Sequence, residues 1–90
     1  MQNDIKKLER IFKALANKRR LAILAHLKKK RSASVGDIAE AIILSFKATS
    51  KHLGILFAAD ILERDQEILT IHYRLADNLH SVVKNALNVL

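Results

Sequence analysis

The sequence predicts a mainly helical fold carrying one small β-hairpin. Three observations lead there. The chain has 90 residues, 50% hydrophobic and 28% charged, which is enough apolar matter for one packed domain and too much for a disordered segment. It contains no proline and only Gly36 and Gly54, so nothing breaks the helical runs. Apolar residues recur at three- and four-residue spacing except around residues 61–73, where β-type residues flank a polar stretch.

The elements follow in order. Asn3 or Asp4 is placed to cap a first helix over residues 4–16, with Ile5, Leu8, Phe12 and Leu15 at helical spacing and Lys6, Arg10 and Lys13 opposite. Asn17 caps a second helix over 18–30, with Leu21, Leu24, Ala25 and Leu27 inward. Its cationic end, Lys28 to Arg31, complements the negative C-terminus of the helix dipole. Ser34 with Asp37 three residues on reads as a capping box for a short third helix ending near Ala41. Ser45 caps a fourth helix running to Ala58, and Asp60 suits the left-handed turn that ends it. Helix, turn, helix over 34–58 is a helix-turn-helix pattern. Ile61 and Leu62, then Ile68, Leu69, Ile71 and Tyr73, flank Asp65, Gln66 and Glu67 as two strands around a turn, forming a wing. Asp77 is expected to cap a last helix over 78–90.

Composition excludes several functions. With no cysteine, disulfides, thiolate zinc sites, iron–sulfur clusters and thiol redox sensing are all ruled out. The longest run without a charge or histidine is Leu53 to Ala59, far short of the ~20 apolar residues of a membrane span. Asp4, Lys6, Lys7, Glu9 and Arg10 occupy the place of a signal peptide's apolar core, so a cytoplasmic protein is expected. The net charge of +7 is unevenly spread: residues 1–31 carry +9 and the remainder −2. Such a basic excess suits a polyanionic partner, because neutralising phosphates releases counterions.

On a helical wheel of residues 45–58, Thr49, Leu53 and Leu56 share one side, with Phe46 and Phe57 at its edge. Lys47, Ser50, Lys51 and Gly54 gather on another. A helix with a buried apolar face and a slim exposed face of short polar and cationic side chains fits a DNA major groove, where its lysines reach guanine acceptors or phosphates. The last helix carries an apolar arc of about 160°, wider than the stripe of about 100° that one core needs. Leu79, Val82, Val83, Ala86 and Leu90 contribute to it, and the first helix has a matching surplus in Ile11 beyond its Ile5, Leu8 and Phe12 stripe. These nine residues are the expected interface of an isologous homodimer built from the terminal helices.

Residues Ala14 to Leu24, Val35-Gly36-Asp37-Ile38-Ala39, Ser45 to Leu56 and Tyr73-Arg74-Leu75 together resemble the arsenical-resistance-repressor (ArsR) family, and the likeness covers nearly the whole chain. The resemblance implies a dimeric winged helix-turn-helix transcription factor. The fourth helix would read the major groove, the hairpin would touch adjoining backbone or minor groove, and the first and last helices would form the dimer. Candidate DNA contacts are therefore Phe46, Lys47, Ser50 and Lys51 on the helix and Arg64 and Gln66 on the wing.

The chain departs from the family's sensor patterns. Where the family places two cysteines around a valine, this chain has Ser34 and Gly36. Of the pattern on the last helix only Asp77 matches, the next position falling on Leu79 and the later ones on Leu90 or beyond. His26, His52, His72 and His80 show no paired spacing, so no metal and no cofactor are expected. Phe46 stands where the family usually has a polar residue, and Phe57 where it has Arg or Lys. Phe46 either widens the buried stripe or meets a thymine methyl. The wing tip is expected at Arg64-Asp65-Gln66-Glu67, with Ile68 in place of the family's turn glycine and only weak DNA contacts.

No phosphate loop, paired nucleophile and base, or substrate cleft is visible, so an enzyme is not expected. The expected function is a homodimeric repressor that binds double-stranded DNA, without an identified effector. Two competing readings are a winged-helix module that binds proteins instead of DNA, and a membrane-surface binder acting through the basic first helix.

Overall fold

The computed structural model describes residues 2–90, with side chains from Asp4 onward. Five helices and a small sheet make up the described residues: α1 (Gln2–Leu15), α2 (Lys18–Lys30), β1 (Ser32–Ser34), α3 (Val35–Ile42), α4 (Phe46–Ala58), β2 (Leu62–Glu67), β3 (Thr70–Leu75) and α5 (Ser81–Asn88). The Asn3 side chain lies outside the described residues, and α1 already begins at Gln2, ahead of Asp4.

Three of the helix starts are made by the caps expected from sequence. Asn17 Oδ1 accepts from the backbone N–H of Arg19 at 2.9 Å and of Arg20 at 3.1 Å. Ser34 Oγ accepts from Asp37 N–H at 3.1 Å, and Ser45 Oγ from Ala48 N–H at 3.1 Å. Each bond satisfies a donor that the helix cannot pair internally. Between α3 and α4 the chain turns through Ile43, held at φ 55°, and the two helices bend by 108°, as in a helix-turn-helix.

The sheet has a third strand where the sequence pattern predicts only a connection. β1 pairs antiparallel with β3, Ala33 opposite Tyr73, giving the order β1-β3-β2. β2 pairs with β3 from Leu62↔Leu75 to Glu67↔Thr70, which places the two-residue turn at Ile68 and Leu69. The expected polar turn at Asp65-Gln66-Glu67 is therefore corrected: those residues are strand, and the wing tip is apolar. Across the strands, Arg74 holds Glu63 at 2.8 Å and Asp65 at 2.9 Å, so the polar residues line a paired strand face.

The start of α5 is also corrected. Asp77 is drawn to Arg74, whose Nη1 donates to its Oδ1 at 3.2 Å, and residues 76–80 stay non-helical. His80 becomes the cap, its Nδ1 accepting from Val82 N–H at 3.1 Å.

The core centres on Ile23, Leu24 and Leu27 of α2, closed by Ile38, Leu53, Leu56 and the hairpin root Ile61–Leu62. Ile11 and Val83 belong to it, at 2% and 1% exposure, and are not surface available to a second copy. The apolar arc of α1 is as wide as its sequence indicates, but the core takes the Ile11, Ala14 and Leu15 edge and leaves Ile5 and Phe12 outside. No single helix among the described residues is long and apolar enough to cross a membrane.

Candidate nucleic-acid interface

Helix α4 presents the expected surface. Thr49, Leu53 and Leu56 are buried beneath it, while Phe46, Lys47, Ser50, Lys51 and Gly54 stand exposed along the opposite arc. Phe46 is 62% exposed at the first turn and Ile43 lies bare just before it, so the end of α4 nearest the turn is apolar. At Gly54 a Cβ would meet nothing within 4 Å, and this part of the helix is a flat surface without a side chain.

The wing's polar residues divide by face because strand side chains alternate. Glu63, Asp65 and Glu67 project to one side with Arg74 and His72; Arg64 and Gln66 project to the other with Tyr73 and Ile71. On the first side Arg74 bonds Glu63, Asp65 and Asp77, and the bond to Asp65 above all raises its pKa further. His72 Nδ1 lies 3.6 Å from the Glu67 carboxylate, an ion pair when the imidazole is protonated. On the second side the Arg64 guanidinium lies 4.2 Å from the centroid of the Phe57 ring. Phe57, a departure from the family pattern, thus packs on the core below and carries a wing cation above.

Behind α4, His52 Nδ1 lies 3.1 Å from Arg20 Nη1, while Arg20 Nε and Nη2 donate to the carbonyls of Ala14 and Lys13 at the end of α1. A guanidinium can only donate, so His52 Nδ1 is the acceptor, and burial first, then the nearby charges of Arg20, Lys51 and Arg19, lower the His52 pKa. No local pattern signals this link between α1, α2 and α4, because His52 and Arg20 are 32 residues apart. Lys6, Arg10, Lys13 and Arg20 line a groove of about 730 Å³ beside Ile55 and Ala58 of α4. Lys28 instead donates to the Leu87 carbonyl of α5 at 2.7 Å, so part of the N-terminal basic excess is structural.

Three exposed cations, Lys47, Lys51 and Arg64, thus stand on α4 and the wing, beside capped helices and a three-stranded sheet. The family model for "Bacterial regulatory protein, arsR family" covers residues 17–64, more than half of the chain. The chain belongs to the arsR family. Solved structures agree. HlyU from Vibrio cholerae superposes with a TM-score of 0.81 at 31% identity over 99% of this chain and 92% of that one. The homodimeric winged helix-turn-helix DNA-binding domain of Mb0332 from Mycobacterium bovis gives 0.83 at 28%, over 98% and 78%. The transcriptional repressor BigR from Xylella fastidiosa gives 0.76 at 26%, over 100% and 92%. Among curated proteins none matches significantly. ArsR-family proteins are DNA-binding transcription factors rather than enzymes, and this chain has their winged helix-turn-helix fold.

Of the residues expected at an ArsR dimer interface, Ile5, Phe12 and Leu90 are exposed, while Leu8, Leu79, Val82 and Ala86 are half-buried. Ser34, at the family's cysteine position, is spent on capping α3. Among the described residues no group of three or more His, Asp or Glu is arranged to hold a metal ion.

Proposed function

We propose that this chain is a homodimeric repressor that binds a roughly palindromic operator through α4, contacts adjoining DNA with the wing, and does not respond to metals. The observation that carries the reading is the exposed arc of Phe46, Lys47, Ser50 and Lys51 on a helix held from behind by Leu53, Leu56 and the Arg20–His52 link. Homodimerisation and repression are supported by relatives of the same fold, Mb0332 being described as a homodimeric DNA-binding domain and BigR as a transcriptional repressor. Pairing of α1 and α5 about a two-fold axis would set two α4 helices one DNA turn apart, roughly 34–36 Å. The lack of a metal response is supported by Ser34 and Gly36 at the thiolate positions, since neither offers a soft ligand.

Operators selected from a random duplex pool provide the test. Binding should weaken steeply with salt. Lys47→Ala and Lys51→Ala should each lower the salt slope by about 0.9 for every phosphate that is no longer neutralised, leaving the fold intact. Salt-insensitive or negligible binding would overturn the reading in favour of a protein-interaction module. Stoichiometric zinc, cadmium or arsenite should leave operator affinity unchanged, and a tenfold change would overturn that part of the proposal.

A further inference from the structure

We propose that the wing tip, Ile68–Leu69, is an apolar wedge that enters the minor groove of duplex DNA and opens a flexible base step; this rests on the DNA-binding reading above.

The two side chains are 92% and 98% exposed at the apex of the hairpin. Leu69 is held at φ 63°, the second turn position with positive φ that favours glycine or asparagine and disfavours a large side chain. Neither burial nor backbone preference within the protomer accounts for leucine there. Backbone strain of this kind points toward a role outside the folding of the chain itself.

The surroundings of the tip choose the partner. Gln66 and Arg64 follow the tip down the α4 side of the wing, and Arg64 joins it to α4 through the Phe57 ring. The carboxylates of Glu63 and Asp65 are turned to the opposite side and paired with Arg74. An apolar apex backed by an amide and a guanidinium, with Glu63, Asp65 and Glu67 all on the opposite strand face, is complementary to a minor groove. Proteins that read that groove combine Arg and Gln contacts with Leu or Ile side chains pushed between base pairs. The cost of opening a step is smallest at pyrimidine–purine steps, above all TA.

The full chain is titrated against two duplexes of equal length, alternating d(AT) and an oligo(dA)·oligo(dT) tract, each with 2-aminopurine replacing one adenine. The expected result is tighter binding to the alternating duplex by about tenfold, with a rise in 2-aminopurine fluorescence on that duplex alone. In Ile68→Ser/Leu69→Gly both the preference and the fluorescence rise should vanish. Leu69→Gly alone should raise Tm while lowering affinity for the alternating duplex, a divergence that a purely structural role does not produce. Salt-dependent binding of the parent to both duplexes with equal affinity and no fluorescence change would overturn the wedge and leave the DNA reading standing. Binding to the selected operator but to neither of these duplexes would overturn the wedge alone, and binding to no duplex, the selected operator included, would overturn both. A variant that keeps the preference, or that changes only self-association in sedimentation, would overturn the wedge.

Discussion

The Arg64 guanidinium lies over the ring of Phe57, 4.2 Å from its centroid, and so ties the wing to the last turn of α4. The contact bridges α4 and the strand face that carries Arg64 and Gln66, although the hairpin beyond Leu62 is largely exposed.

Replacing Phe57 by leucine keeps an apolar group on the core but removes the aromatic face. An exposed cation–π contact is worth about 0.5–1 kcal/mol. Phe57→Leu should therefore lower unfolding free energy by about that amount and remove the ring-current shift of the Arg64 side-chain protons. Unchanged Arg64 shifts would show that the stacking does not persist in solution.

Gly54 offers a test of what lies against α4. A mid-helix glycine costs about 0.5–1 kcal/mol relative to alanine, and a Cβ here meets nothing in the protomer. Gly54→Ala should raise stability by about that amount in urea unfolding. If DNA backbone or bases approach this flat surface closely, the same variant should bind the selected operator less tightly.

His52 makes stability depend on pH. Its pKa in the fold is lowered from 6.5, chiefly by burial and then by Arg20, so the unfolded chain binds its proton more readily than the folded one. The associated stability is present in full above the unfolded value of 6.5 and is lost as pH falls through the lower folded value. Unfolding free energy should drop on acidification below pH 6.5, and His52→Gln should flatten that part of the profile. An unaltered profile would place the acid sensitivity elsewhere.

The proposed dimer is tested best at residues the protomer does not itself need. Val83 is 1% exposed, so Val83→Glu would unfold the chain whatever its oligomeric state. Phe12 is 52% exposed on the outer edge of α1. Phe12→Glu should leave the far-ultraviolet circular dichroism unchanged, convert the dimer to monomer in sedimentation equilibrium, and abolish operator binding. A parent that is monomeric at micromolar concentration would overturn the interface.

Local chemistry was legible in the sequence. Asn17, Ser34 and Ser45 cap helices with N–H groups two or three residues away, and such bonds form whatever the rest of the chain does. The buried and exposed arcs of α4 follow from a 3.6-residue period in the same way. Tertiary structure decided what depends on distant partners. Ser32–Ser34 is too short for an alternating pattern and becomes a strand only because β3 is there to pair with it. Asp77 has the residue type of a cap, yet Arg74 claims it and the role passes to His80. The apolar arc of α1 was visible, but which edge would be inside was set by the packing of α2 and α4 against Ile11 and Ala14. The turn fell at Ile68–Leu69 because strand register is fixed by pairs such as Leu62 with Leu75, far from the residues whose polarity suggested a turn. Capping and periodicity are short-range preferences of single segments; register, inward edge and the choice among competing acceptors are settled only when segments remote in sequence exclude water from one another.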